Sequence, residues 1–377
     1  MRRDYLKIIV SGGGTGGHIY PAITLIQEIR KLDPSAEFLY VGSTRGLEAD
    51  IVPKENLPFE AIELSGFERH ISFKSILENF SRATQAIRGI NRARSILRDF
   101  KPDVVVGTGG YVCGPILLAA SLMKIPTLIQ EQNAVAGVTN KILSKFVTKI
   151  CVGSEAALKN FPPEKTVYTG NPIRANVMEA NREEGIKLFG FNPERPIVLI
   201  SGGSRGARSI NRAMIGVLEH FKEIPSVQFL HVTGKTEFDE VMESLEDAGV
   251  DLKIATHIRV EPYLYDMPQA MAMADLAVFR AGATGLAELT ARGVPSILIP
   301  YPFAAANHQE FNARVLVNAG AARMILNKDL TAGILIETIR DLLKNPQELE
   351  KMSIVAKSLG RPDAAKEIAT MILDLAK

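Results

Sequence analysis

Short runs of valine, isoleucine and leucine alternate along the chain with longer stretches in which apolar residues recur every three or four positions. The runs are Leu6–Val10, Glu37–Gly42, Val104–Gly107, Thr127–Gln130 and Ile150–Val152, then Ile197–Ile200, Gln228–Val232, Leu252–Thr256, Leu276–Phe279 and Ser296–Ile299. Continuous apolar runs of this length suit strands buried on both faces, as in parallel sheets flanked by helices. The pattern predicts an α/β chain of doubly wound, Rossmann-like parallel sheets.

The second half of the chain echoes the first. KIIVSGGGTGGH (7–18) recurs as IVLISGGSRGARSIN (197–211), DVVVGTGGYVCGPILLAA (103–120) as DLAVFRAGATGLAELTA (275–291), and IPTLIQEQNAVAGVTN (125–140) as VPSILIPYPFAAANHQEFN (294–312). With 377 residues the chain exceeds one ordinary core. Two units are expected, 1–170 and 171–359, broken at Gly170–Pro172 and facing a common cleft. The segment 360–377, amphipathic over Ala364–Ala376, is expected to return to the first unit.

Composition narrows the class. Net charge is +2, so no global field favours nucleic acid, and a basic patch has to be local. The two cysteines, Cys113 and Cys151, sit in apolar surroundings and read as reduced core residues of a cytoplasmic protein. The N-terminus has too few apolar residues before its glycines for a signal peptide. The low-charge stretch Val104–Ile129 is interrupted by glycines and prolines, so it reads as strand, turn, helix and strand rather than a membrane span.

The glycine turns carry the candidate chemistry. Ser11–Pro21 (SGGGTGGHIYP) joins an apolar run to a helix-like stretch, and such a turn points backbone N–H groups at an anion or polar ligand. Gly12, Gly14 and Gly17 fit the dinucleotide spacing, but the next run ends in Val41 and Gly42 without the acid that would hold a ribose. That argues against a nicotinamide or flavin site. Gly202–Arg208 fits two descriptions, a diphosphate site using backbone N–H groups, Ser204 and Arg205, or a tight turn with solvated arginines. Glu288, early in the helix after Arg280–Gly285, fits a ribose ligand or an acid complementing the helix dipole. His308, Gln309 and Asn312 suit the hydroxyl and amide groups of a sugar. So do Thr108, Gly109, Gly110 and Tyr111, and Gln130, Glu131, Gln132 and Asn133, at strand ends of the first half. Arg174, just past the linker, is placed to reach a phosphate. There is no Asp-x-Asp pair or close His/Cys cluster, so neither a protein-held metal nor any other cofactor is expected. A leaving diphosphate then relies on helix N-termini and arginine.

Seven ordered motifs, SGGGTGGHIYPA, GTGGYVCGP, EQNAVAGVTN, GNPIR, SGGSRGAR, RAGATGLAEL and HQEFNA, resemble those of the MurG family of bacterial glycosyltransferases over nearly the whole chain. The resemblance implies an inverting GT-B type enzyme. It would move N-acetylglucosamine from UDP-N-acetylglucosamine to the C4 hydroxyl of undecaprenyl-diphospho-N-acetylmuramoyl-pentapeptide, lipid I to lipid II, in peptidoglycan synthesis. It places donor contacts at Thr15, Gly16, Gly17, Asn133, Arg174, Ser204, Leu264, Ala283, Glu288 and Gln309. Glu288 would hold the ribose, Leu264 would pack by the uracil and Ser204 would touch the phosphate. His18 becomes the candidate general base, an imidazole having its pKa near the working pH. Gly14, Thr108, Gly109, Tyr111 and Glu131 become acceptor contacts. The chain departs from the family pattern at Arg205, Ala281, Gly285 and Asn307, and Thr284 is the hydroxyl left to replace the one missing at Gly285.

A lipid-linked acceptor requires a membrane surface. Between Arg69 and Lys101 there are eight Lys/Arg and two acids, interleaved with apolar residues. Ile71, Phe73, Lys74, Ile76, Leu77, Phe80, Arg82 and Arg88 are expected to dock peripherally on anionic lipid. The expected location is the cytoplasmic face of the bacterial cell membrane, alongside other proteins of cell-wall synthesis. A UDP-N-acetylglucosamine 2-epimerase-like enzyme would share the fold and the nucleotide sugar, without need of the histidine turn or the basic apolar segment. A non-catalytic nucleotide-sugar binding module would be indifferent to loss of His18.

Overall fold

A computed structural model of the chain describes residues 5–63, 75–203 and 205–377, and for 75–87 the backbone only. The chain divides into two units, Met1–Pro172 with Asp363–Lys377, and Ile173–Pro362. Each is built on a parallel sheet with helices on both faces.

In the first unit the strands are β1 (Lys7–Ser11), β2 (Glu37–Ser43), β3 (Phe59–Ile62), β4 (Val104–Gly107), β5 (Thr127–Glu131), β6 (Lys149–Val152) and β7 (Thr166–Tyr168). Their order is β3-β2-β1-β4-β5-β6-β7, all parallel. Successive side chains feed opposite cores, as the two-residue period of a strand requires. Ile9, Val105 and Ile129 pack with Ile116 and Leu117 of the helix Cys113–Leu122. Ile8, Val10, Val104 and Val106 pack with Ile19, Leu25 and Ile26 of the helix Gly16–Leu32. The C-terminal helix Ala364–Ala376 joins this second core through Ile368, Ala369 and Ile372.

The second unit holds β8 (Ile197–Ser201), β9 (Gln228–Val232), β10 (Ile258–Glu261), β11 (Leu276–Phe279), β12 (Ser296–Leu298) and β13 (Ala322–Met324), in the order β10-β9-β8-β11-β12-β13, again all parallel. The expected fold class, two doubly wound parallel-sheet units, is what the chain adopts. In each sheet the strand order reverses beside the first strand, between β1 and β4 and between β8 and β11. Ligands of such sheets bind outside the strand ends at that reversal, and the glycine turns follow these four strands.

One expected strand is corrected. Leu252–Thr256 forms a turn, and the strand lies at Ile258–Glu261. The Asp251 carboxylate accepts the Lys253 N–H at 2.8 Å, and its carbonyl accepts those of Ile254 and Ala255. These bonds withdraw the segment from a ladder, and Ile254 is 81% exposed. Three edge strands, β3, β7 and β13, are only three or four residues long and leave no periodic signal.

Candidate active site

The turn after β1 is fixed by its neighbours, bond by bond. Tyr40, on β2, donates its hydroxyl to the Gly12 carbonyl at 2.6 Å, and the Gly13 N–H donates to the Gly109 carbonyl at 3.2 Å. Thr108 donates its hydroxyl to the carbonyls of His18 and Ser11 at 2.7 and 3.3 Å. The Gly14 N–H donates to Glu48 Oε2 at 2.9 Å. Glu48 is fully buried, and its Oε1 accepts the Ser43 N–H and hydroxyl at 3.0 and 2.7 Å. No sequence motif singled out Glu48. The only signal was an acid shortly after the end of the second strand, five residues too late for a ribose ligand.

Side chains are excluded here because backbone meets backbone. Gly110 has φ +86°, and a Cβ on it would run into the Gly13 carbonyl. Gly109 has φ +111°, and a Cβ would lie 2.8 Å from His18 Cδ2 and 3.0 Å from Nε2. His18 is thus set on a glycine floor at the start of the helix Gly16–Leu32. Its Nδ1 is 3.0 Å from the Gly13 carbonyl and 3.4 Å from the Thr15 hydroxyl. A carbonyl oxygen only accepts, so the shorter bond makes Nδ1 the donor and leaves the basic lone pair of the neutral ring on Nε2.

Gly14, Thr15, Gly16, Gly17, His18, Thr108, Gly109 and Tyr111 therefore gather at the ends of β1 and β4, with Tyr111 Oη 3.4 Å from the Ser43 hydroxyl. At the end of β5, Glu131 is 2% exposed. Its oxygens accept from Asn133 N and Nδ2, Gly137 N and Asn140 Nδ2 at 2.9–3.2 Å. The carboxylate that the sequence offered to an acceptor organises the loop carrying Asn133.

In the second unit, Gly203 and Gly206 have φ +89° and +75°, and Gly206 packs directly on the backbone of Thr233 and Gly234. Ser204 lies outside the described residues, and Arg205 is exposed. Arg174 and Glu288 are paired, with Nε and Nη2 both donating to Oε1 at 3.1 and 3.0 Å. Burial pushes the Glu288 carboxyl above its ordinary value, and the Arg174 guanidinium opposes that. Ala283 opens the helix Ala283–Arg292 behind the N-cap Gly282, and the enclosed Thr284 hydroxyl has no hydrogen-bond partner. Gln309 accepts the Tyr301 N–H at 3.0 Å, and Leu264 packs against the core beneath the turn after β10.

In the sequence Arg280 marks only the start of the turn after β11. Its guanidinium donates to the carbonyls of Ile299 and Pro300, to Asn327 Oδ1 and to the Ser209 hydroxyl, all at 2.8–3.1 Å. Burial lowers its pKa to about 10, so the cation persists at neutral pH. It ties the start of the helix Arg208–Phe221 to the loops after β12 and β13, beside the turn that follows β11.

Of the residues expected to meet a membrane, Ile71, Phe73 and Lys74 lie outside the described residues. Ile76, Leu77, Phe80 and Arg82 lie on the helix Ser75–Phe100, in the stretch described by its backbone only, and Arg88 on the same helix is exposed. Arg92, on the same helix, is paired with Glu60 at 2.6 Å. Among the described residues no helix is long and apolar enough to cross a membrane.

Residues 8–152 match the glycosyltransferase family 28 N-terminal domain, and 197–368 the family's C-terminal domain. The chain is similar to UDP-N-acetylglucosamine–N-acetylmuramyl-(pentapeptide) pyrophosphoryl-undecaprenol N-acetylglucosamine transferase 1 of Bacillus cereus, 48% identical over 99% of this chain and 100% of the relative. The transferase of the same name from Listeria monocytogenes is 47% identical over the same shares. Among solved structures, MurG of Acinetobacter baumannii has a TM-score of 0.76 at 27% identity, covering 98% of this chain and 99% of that one. UDP-GlcNAc 2-epimerase of Neisseria meningitidis, solved with UDP-GlcNAc, has a TM-score of 0.65 at 17% identity, covering 98% of this chain and 100% of that one. That second likeness is one of fold alone.

Proposed function

The chain belongs to glycosyltransferase family 28, among the MurG enzymes, and on that premise we propose how its residues divide the reaction. The protein transfers N-acetylglucosamine from UDP-N-acetylglucosamine to the C4 hydroxyl of undecaprenyl-diphospho-N-acetylmuramoyl-pentapeptide, the step that turns lipid I into lipid II in peptidoglycan synthesis. In our reading His18 Nε2 takes the proton of that hydroxyl as its oxygen bonds to C1 of the sugar and the C1–O bond to UDP breaks. The observation that carries this assignment is the 3.0 Å bond from Nδ1 to the Gly13 carbonyl, which fixes the ring and its tautomer. Thr108 and Gly109 shape the seat of the ring, and Glu131 holds the neighbouring loop.

In the second unit Glu288 receives the ribose hydroxyls. The Ala283–Thr284 helix start faces the diphosphate, and the enclosed Thr284 hydroxyl supports that role. Ser204 and Arg174 share the phosphate charge, Leu264 lies by the uracil and Gln309 contacts the sugar. Negative charge on leaving UDP falls on backbone N–H groups and guanidinium, a donor set that calls for no protein-held metal. The basic apolar segment 69–101 binds anionic lipid peripherally. A nucleotide-sugar substrate and two free buried cysteines favour the cytoplasmic face.

The test is UDP release with a short-chain lipid I analogue. His18→Ala is expected to lower kcat by about 100-fold or more with thermal stability retained, since a general base contributes that much. Undiminished turnover in a folded variant would remove His18 from the mechanism. Binding to anionic but not neutral vesicles, weakening with salt, is the corresponding expectation for the membrane segment.

A further inference from the structure

One peptide group joins two features of the first unit that the reaction scheme leaves separate. The amide between Gly13 and Gly14 has its carbonyl oxygen on His18 Nδ1 at 3.0 Å and its N–H on Glu48 Oε2 at 2.9 Å. We propose that Glu48, the Gly13–Gly14 peptide and His18 form a carboxylate–peptide–histidine relay, in which Glu48 is a positioning residue that sets the tautomer and raises the basicity of the catalytic imidazole. The inference rests on His18 being the general base.

A carboxylate bonded to an amide N–H draws the amide proton towards itself and pushes electron density onto the carbonyl oxygen. Hydrogen bonds in such a chain strengthen one another. The enriched Gly13 oxygen becomes a better acceptor for Nδ1–H, which favours that tautomer and stabilises the imidazolium formed once Nε2 has taken a proton. The same task falls to a carboxylate bonded directly to histidine in hydrolase triads. Here a peptide is interposed, and no proton leaves Nδ1 or reaches Glu48.

Glu48 is held by hydrogen bonds on both oxygens: two backbone N–H groups and the Ser43 hydroxyl donate to them. No cation is paired with it among the described residues, and its chain neighbours Arg45 and Asp50 are exposed. The other titratable groups brought to the turn are Tyr40 from β2 and Tyr111 and Cys113 from the segment after β4. Tyr40 donates to Gly12, Tyr111 reaches the Ser43 hydroxyl, and Cys113 donates to the carbonyls of Ser11 and Gly109 at 3.1 and 3.0 Å. Burial raises both Tyr40 and Cys113, so these two remain neutral near pH 7. The space is also shaped around the carboxylate. A Cβ at Gly13 or Gly46 would overlap it, and one at Gly42 would lie 2.6 Å from its Cγ.

The test is nitrogen-15 NMR of histidine-labelled protein, with His18 assigned through His18→Gln. Wild-type His18 is expected to be neutral at Nε2 and protonated at Nδ1 above its pKa. In Glu48→Gln, with shape kept and charge removed, the His18 pKa is expected to fall by about one unit, as loss of a nearby opposite charge does. The acid limb of kcat/KM should move down with it, and KM for UDP-N-acetylglucosamine should change less than about twofold, because uniform binding is not involved. Ser43→Ala keeps the carboxylate and should leave the His18 pKa in place. An unmoved pKa in folded Glu48→Gln overturns the relay. So does an Nε2–H tautomer in the wild type, a measurement that stands even where the variant fails to fold. Full turnover by His18→Ala would sink the base assignment instead, while the NMR result would still report on the relay.

Discussion

Arg174 and Glu288, the residues proposed to meet the donor's phosphate and ribose, show how one contact bears on stability. The Glu288 side chain is 6% exposed and that of Arg174 37%, so the pair places a nearly buried carboxylate under a half-solvated cation. Arg174→Ala removes the group that opposes desolvation, and the Glu288 carboxyl then rises further above its value in the unfolded chain. A pKa raised by folding subtracts stability as pH climbs through it. The variant should therefore match wild type in acid, below the ordinary carboxylate range, and fall behind it towards neutrality. The expected deficit there is about 1–3 kcal/mol, reduced from that of a fully buried pair by the exposure of Arg174. Urea unfolding below the ordinary carboxylate range and near neutrality checks this, and an equal deficit at both pH values counts against it. At this scale the sequence disclosed His18, because a histidine among five glycines stands out. Glu48 was illegible, because an acid after a strand gives no sign that its oxygens will reach back to the preceding glycine turn.

Elements are joined here by glycines of two kinds, and substitution separates them. Gly110 sits at φ +86° with the Gly13 carbonyl where a side chain would begin. Gly110→Ala should cost at least about 2 kcal/mol through left-handed strain and overlap, and should also loosen the His18 turn. Gly285 lies inside the helix Ala283–Arg292, where an added Cβ meets nothing nearer than Phe279 Cδ1 at 3.8 Å. Gly285→Ala should raise stability by about 0.5–1 kcal/mol by removing backbone entropy from the unfolded chain. Thermal unfolding of the two variants should move in opposite directions. Element types were legible wherever an apolar run continued through a buried strand. They failed at Leu252–Thr256, where a local aspartate turn outcompeted the ladder, and at short edge strands whose pairing comes from a neighbour.

For the whole molecule, the first unit is completed by the last residues of the chain. Ile368, Ala369 and Ile372 are fully buried in the core shared with Ile8, Val10 and Ile19. Ending the chain after Pro362 should expose that face of the helix Gly16–Leu32. Backbone hydrogen exchange should then rise across residues 5–63 and 104–168 while 197–325 keep their protection; a uniform rise would mean that the two units do not unfold separately. The sequence alone determined the two-unit α/β class, because strands buried on both faces must be apolar throughout, and it located the glycine turns, because backbone that approaches backbone excludes side chains. Tertiary structure alone decided which polar groups meet. The Arg174–Glu288 pair spans 114 positions and the Gly14–Glu48 bond 34, and no local periodicity encodes a contact made by bringing separate strand ends together.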